Sequence, residues 1–112
     1  MEYISTRNKN LKYNFKEIFL RGLAPDGGLF IPKKIKKYNE DEIKKLGVLS
    51  YTDLATEIIF NFCSSSLEKN QLKNLIEKSY KNFSSEEVIK LKKFGNLNLI
   101  ELYHGPTLAF KD

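Results

Sequence analysis

The segment from Glu101 to Asp112 reads ELYHGPTLAFKD and gathers an imidazole, a hydroxyl, an amine and two carboxylates. An imidazole moves protons near neutral pH, and an amine attacks a carbonyl to form a Schiff base. His104, Thr107 and Lys111 are the side chains of this kind. Each also has a plainer reading. His104 fits either a hydrogen-bonded structural histidine or a contact to a cofactor or substrate. As a metal ligand it lacks company, because a protein site needs about three side-chain ligands and no local spacing supplies them. Lys111 is one of 19 basic residues and is equally a solvated surface lysine. A lysine amine is protonated in water, so nucleophilic use requires desolvation or nearby positive charge. The segment cannot enclose its own amine. That work would fall to a larger body.

The elements that must position this segment are short. LNLIELYHG predicts a strand that runs into the turn at Gly105 and Pro106, with no obvious partner strand in the chain. Glu101 is awkward on any buried face of it. Gly95 and Asn96 predict a turn, and Ser84 or Ser85 a cap for a short helical piece through Val88 and Leu91. Further upstream, SYTDLATEIIFNFC predicts the clearest helix, capped by Ser50, with Tyr51, Leu54, Ala55, Ile58, Ile59 and Phe62 on one face. SSSLEKNQLKNLIEKSYKNF predicts its hairpin partner, with Leu72, Leu75, Ile76, Ser79, Tyr80 and Phe83 sharing a face.

The N-terminal third is strand, turn and helix. Glu2 to Thr6 predicts a strand and Arg7 to Asn14 a polar loop. Asn14, with Glu17 three residues on, caps a helix that Gly22 ends, and its buried side is marked by Phe15, Ile18 and Phe19. GLAPDGGLFIP carries the densest turn signal: Pro25 presets φ, Asp26 bonds back to the backbone, and Gly27 and Gly28 permit unusual angles. Leu29 to Ile31 then predicts a strand paired with Tyr3 to Ser5. Asn39 and Glu42 form a capping box for a helix ended by Gly47. The fold class expected is α+β, mostly helical with short strands.

Composition narrows the function classes. With 41% hydrophobic residues in 112, the chain can build only a modest core, and a domain this small buries a smaller share of its surface than a large one. The net charge of +5 raises the possibility of a nucleic-acid-binding domain. Against it, only Arg7 and Arg21 are arginines, acidic residues are interspersed, and no recognition helix or finger is present. The Lys33 to Lys37 run is most simply a solvated link. Cys63 is the single cysteine, so no intrachain disulfide forms, and a cytoplasmic location with a partly buried, inert thiol is expected. No apolar run predicts a secretory leader or a membrane span. A non-catalytic helical interaction module remains the alternative to an enzyme.

Four segments, in order, resemble the N-terminal part of threonine synthases, a family of pyridoxal-phosphate enzymes: YISTR, FKEIFLRGLAPDGGLFIP, LSYTDLATEIIFNF with SYKNF after it, and ELYHGPTLAFKD. The second and last are the specific ones. The resemblance implies a carbon–oxygen lyase that converts O-phospho-L-homoserine and water to L-threonine and phosphate, the last step of threonine biosynthesis. It implies a larger α/β enzyme of the tryptophan synthase beta-like fold, with residues 1–96 as its N-terminal domain and 97–112 as the start of the catalytic domain. Lys111 would be the lysine that holds pyridoxal phosphate covalently and then moves protons on the substrate. His104 and Thr107 would lie beside the cofactor, with Phe110 near its ring and Asp112 holding the loop. The chain departs from the family at Asn8, Tyr103 and Ser79, none of which touches that chemistry. Because the resemblance covers only about the first quarter of the family chain, the expectation is an N-terminal fragment, inactive alone and not itself retaining the cofactor, that packs on the missing catalytic domain.

Overall fold

Three strands too short to stand alone join into one antiparallel sheet near the N-terminus. The computed structural model describes residues 1–112. In it β1 (Tyr3–Ser5) lies between β2 (Lys12–Tyr13) and β3 (Phe30–Pro32). Ile4 faces Ile31 and Ser5 faces Phe30, the pairing expected from the sequence. β2 is a correction, since Arg7 to Asn14 was expected to be loop throughout. Asn8 accepts the Asn10 N–H and turns the chain back, so that Lys12 and Tyr13 pair with Ile4 and Tyr3. Tyr13 then packs edge-on against Phe30, with centroids 4.9 Å apart. A two-residue strand inside a polar stretch leaves no periodic signal.

The turn before β3 is locked onto β1 through Asp26. Fully buried Ser5 donates its hydroxyl to Asp26 Oδ1 at 2.8 Å, and the Gly28 N–H donates to the same oxygen at 2.9 Å. The Arg7 guanidinium donates to the Asp26 carbonyl at 3.1 Å. The Gly28 N–H, and next the Ser5 hydroxyl, hold the Asp26 carboxyl below the usual carboxylate range. Gly28 sits so close that a Cβ there would overlap the Ser5 hydroxyl and press on Asp26 and Thr6. Gly28→Ala is therefore expected to destabilise the chain by about 1–3 kcal/mol, the usual cost of overpacking, measured as a lowered denaturation midpoint.

Three of the four helices start at the caps expected from the sequence, and no cap was expected for the fourth. α1 (Phe15–Arg21) and α2 (Glu40–Leu46) begin at Asn14 and Asn39 with reciprocal bonds to Glu17 and Glu42. α3 (Tyr51–Cys63) begins at Ser50, whose oxygen accepts the Asp53 N–H. α4 (Lys69–Tyr80) begins with a Glu68–Gln71 exchange. α3 and α4 form the expected hairpin around Cys63, Leu72 and Ile76, with Phe15, Ala55, Phe60, Leu67 and Tyr80 packed on them. Cys63 is completely buried rather than partly so, and burial pushes its thiol pKa up, which keeps it inert. The Tyr3 phenol donates to the Phe62 carbonyl at 2.8 Å and ties the sheet to α3.

Several faces expected to be buried are not. Phe19 is 76% exposed, and Leu75, Ile58 and Ile59 are exposed as well. Phe19 still stacks on Phe15, with ring centroids 5.9 Å apart. No helix is long and apolar enough to cross a membrane.

The C-terminal part brings two corrections. Residues Ser84 to Ile89 form bends and turns instead of a helical piece, and Lys90 begins a strand. Ser84 gives its N–H to the distant His104 carbonyl at 2.8 Å, and Val88 takes a φ of 61°, which no helix continues. The last strand also has the partner it was expected to lack. β4 (Lys90–Phe94) and β5 (Leu97–Glu101) form an antiparallel hairpin about the Gly95–Asn96 turn, with Leu91 facing Ile100. Leu91, Phe94, Leu97, Leu99 and Ile100 all remain exposed on it.

Candidate active-site segment

β5 delivers the chemical groups into a loop held from three sides. Glu101, its last residue, is 3% exposed. One carboxylate oxygen accepts from Lys92 Nζ at 2.6 Å, and the other lies 2.9 Å from His104 Nε2. Lys92 stands on the same face of the hairpin as Glu101, two residues along from its direct opposite, Lys90. The Lys92 ammonium first, then His104, lowers the Glu101 pKa to about 2. What looked awkward in the sequence is thus an ion pair with its lone pairs occupied. A sequence signal existed, namely a histidine three residues after the glutamate and a lysine at a diagonal strand position, but reading the second requires the hairpin register.

Glu101 is more acidic in the folded chain than its ordinary value of 4.5, so its contribution is complete above that pH. It is lost as the pH falls from about 4.5 toward about 2. Denaturation of the parent and of Glu101→Gln across that range should give a stability difference that is flat above it and shrinks within it.

His104 makes three further polar contacts, all with Ser84. Its carbonyl accepts the Ser84 N–H at 2.8 Å and the Ser84 hydroxyl at 3.2 Å, and its Nδ1 lies 3.4 Å from that hydroxyl. The loop after α4 is thereby pinned to the loop after β5. The Tyr103 ring leans on the imidazole at a centroid distance of 4.7 Å.

Beyond His104 the chain closes a small loop on itself. The Leu108 N–H donates to the Gly105 carbonyl at 3.1 Å, and Leu108 takes a left-handed φ of 59°. Asp112 accepts the Thr107 N–H at 2.9 Å and the Thr107 hydroxyl proton as well. These Thr107 bonds, the hydroxyl first, hold the Asp112 carboxyl below its ordinary range. Gly105 is buried against Asp112, and any Cβ there would overlap that side chain. Asp112 therefore has the loop-holding position expected of it, and Thr107 spends its proton inside the loop.

Lys111 is exposed, and its amine lies 5.8 Å from the centroid of the exposed Phe110 ring. The nearest carboxylate in sequence, Asp112, is turned to Thr107, which leaves the amine without an ion pair. His104, Thr107, Phe110 and Lys111 therefore share one loop, but only His104 is enclosed. A cavity of about 170 Å³ lies behind the loop, lined among others by Tyr51, Tyr80, Phe83, Val88 and Phe110. Burial, and then Tyr80, pushes the Tyr51 phenol up to about 12. Ligand pockets commonly run to about 300–1,000 Å³, so this cavity is too small for a pyridine ring with its phosphate. The segment fits such a cofactor in one respect, a free amine beside an aromatic ring. It has no helix N-terminus or basic cluster for a phosphate.

Comparison with known proteins places the chain. Residues 2–80 match the family described as threonine synthase N terminus. The threonine synthase of Pseudomonas aeruginosa is 39% identical over 113 residues, covering all of this chain and 24% of that protein. A human protein named threonine synthase-like 2 is also 39% identical, over 114 residues, with the same coverage. The crystal structure of a PLP-bound threonine synthase from Brucella melitensis superposes with a TM-score of 0.93 at 32% identity, over 99% of this chain and 24% of that one. The chain thus spans about a quarter of the length of the relatives it matches.

Proposed function

Since this chain belongs to the threonine synthase family, we propose that it is the N-terminal portion of an enzyme that converts O-phospho-L-homoserine and water to L-threonine and phosphate with pyridoxal phosphate. The observation that carries this reading is the loop after β5, where Lys111 has an amine free of any ion pair on a scaffold fixed by Glu101, His104 and Asp112. In that enzyme Lys111 would hold the cofactor covalently, and its free amine would move protons at the substrate. The cofactor supplies the electron sink, and the protein orients it. His104 and Thr107 would lie beside the cofactor and Phe110 near its ring. Asp112 keeps the loop closed around Gly105.

Residues 1–96 serve as the N-terminal domain and 97–112 as the start of the cofactor-binding part. The exposed apolar residues of the β4–β5 hairpin and of α1 dock on the rest of the enzyme, which also supplies the cradle for the cofactor phosphate. Apolar surface of this extent is otherwise a liability. The chain by itself is inactive.

The test is to incubate the full-length protein with O-phospho-L-homoserine and measure both phosphate and threonine. Equal amounts of the two are expected. Phosphate without threonine would replace the synthase reading with another reaction of the same substrate, a distinction worth making because a relative named only synthase-like is as similar as a synthase. Neither product would remove the proposal.

A further inference from the structure

Glu101 and Lys92 do more than fill a hairpin face. We propose that Glu101 is the positioning residue of His104: it fixes the ring's proton on Nε2 and its orientation in the loop, and Lys92 holds Glu101 in the register to do so. Use of this device in catalysis rests on the role proposed above for His104, but the proton's location can be tested without it.

Donors and acceptors decide which ring nitrogen carries the proton. The Glu101 carboxylate has no proton to give, and its second oxygen lies 2.9 Å from His104 Nε2. That contact is a hydrogen bond only if Nε2 carries the hydrogen. The bond made by one ring nitrogen sets the state of the other, so Nδ1 is left as the acceptor side, facing the Ser84 hydroxyl at 3.4 Å. Lys92 takes the other carboxylate oxygen at 2.6 Å, which prevents the carboxylate from rotating away. Lys92, His104 and Tyr103 are the titratable groups that act on Glu101. The His104 side chain is 12% exposed and that of Glu101 3%, so water competes poorly for either end of the bond. A histidine needed only for packing requires no ionised partner at this depth, where an unpaired carboxylate would be costly.

The same logic makes a sharp prediction for Glu101→Gln. The amide has one oxygen and one NH2 where the carboxylate had two acceptors. Lys92 can only donate, so it claims the oxygen, and the NH2 turns to the ring. Nε2 must then accept, and the proton moves to Nδ1.

The experiment is nitrogen-15 NMR of the imidazole at a pH where the ring is neutral. In the full-length protein the His104 signals are identified by their loss in His104→Gln. The parent is expected to give a ring N–H on Nε2. Glu101→Gln should shift the tautomer ratio toward Nδ1–H by about tenfold or more, as expected when a hydrogen bond to a charged group is exchanged. Glu101→Asp should keep the parent tautomer. A parent ring protonated at Nδ1 overturns the proposal without any variant being made, which covers the case in which the variants do not fold. So does an unchanged ratio in a Glu101→Gln chain whose β4–β5 cross-strand contacts persist. Failure of the Lys111 reading would appear instead as loss of cofactor attachment elsewhere, so the two failures are separable.

Discussion

Replacing Lys111 by alanine in the full-length enzyme is expected to abolish covalent capture of pyridoxal phosphate and to lower turnover by at least about 10²–10⁴-fold, the range that a positioned proton-transferring group contributes. The whole effect is assigned to one amine because the rest of the loop holds its shape without it. Asp112 is bonded to Thr107, Gly105 to Leu108, and His104 to Glu101 and Ser84. Lys111 enters none of these bonds, and its amine lies over the exposed Phe110 ring at 5.8 Å from the centroid. Its removal should leave the stability of the chain unchanged within about 0.5 kcal/mol, as for an ordinary surface substitution. Lys111→Arg is the informative control. It keeps a positive charge but has no amine to form an imine, so it should be as inactive as alanine. Activity retained in the arginine variant would mean that charge, not covalent attachment, is what the position supplies. Near-ultraviolet and visible absorbance of the bound cofactor reports capture, and threonine formation reports turnover.

The second large effect lies far from the chemistry. Leu72→Ala is expected to destabilise the chain by about 2–5 kcal/mol, the cost of a large-to-small change in a core. Leu72 is 6% exposed and packs with Cys63 and Ile76 in the one cluster that joins α3 to α4. With only three buried residues in that cluster, little is available to refill the space. Small domains hold only about 5–15 kcal/mol in total, so most of the margin would go. The consequence reaches the site, because α4 ends at Tyr80 and the loop after it carries Ser84, which holds the His104 carbonyl. Denaturant unfolding measures the loss directly. A change below about 0.5 kcal/mol, the scale of an exposed position, would show that the helical hairpin is not the chain's cohesive element.

What could be read from the sequence follows the range of the interactions. The caps at Asn14, Asn39 and Ser50 involve residues three apart, and all are in place. The Asp26 turn and the pairing of the first strand with Ile31 were also legible, because Pro, Asp and Gly in succession leave few conformations. The mistaken helical piece after Ser84 had serines and spaced apolar residues in its favour. It lost to a contact twenty residues away, between Ser84 and His104. β5 gained its partner locally, because the Gly95–Asn96 turn lays Lys90–Phe94 back along it. Glu101 is the instructive residue within the site. Its burial was a puzzle until β4 supplied Lys92 across the hairpin. Exposure of Phe19 and Leu75 could not be foreseen from periodicity, which marks apolar faces without saying what covers them.

Lys111 is the proposed point of covalent attachment. The most direct measurement is to reduce the full-length enzyme with borohydride in the presence of pyridoxal phosphate, digest it and locate the added mass by peptide sequencing. The cofactor is predicted on Lys111, in the peptide that contains HGPTLAFKD. Attachment at a different lysine, with Lys111 unmodified, would contradict it.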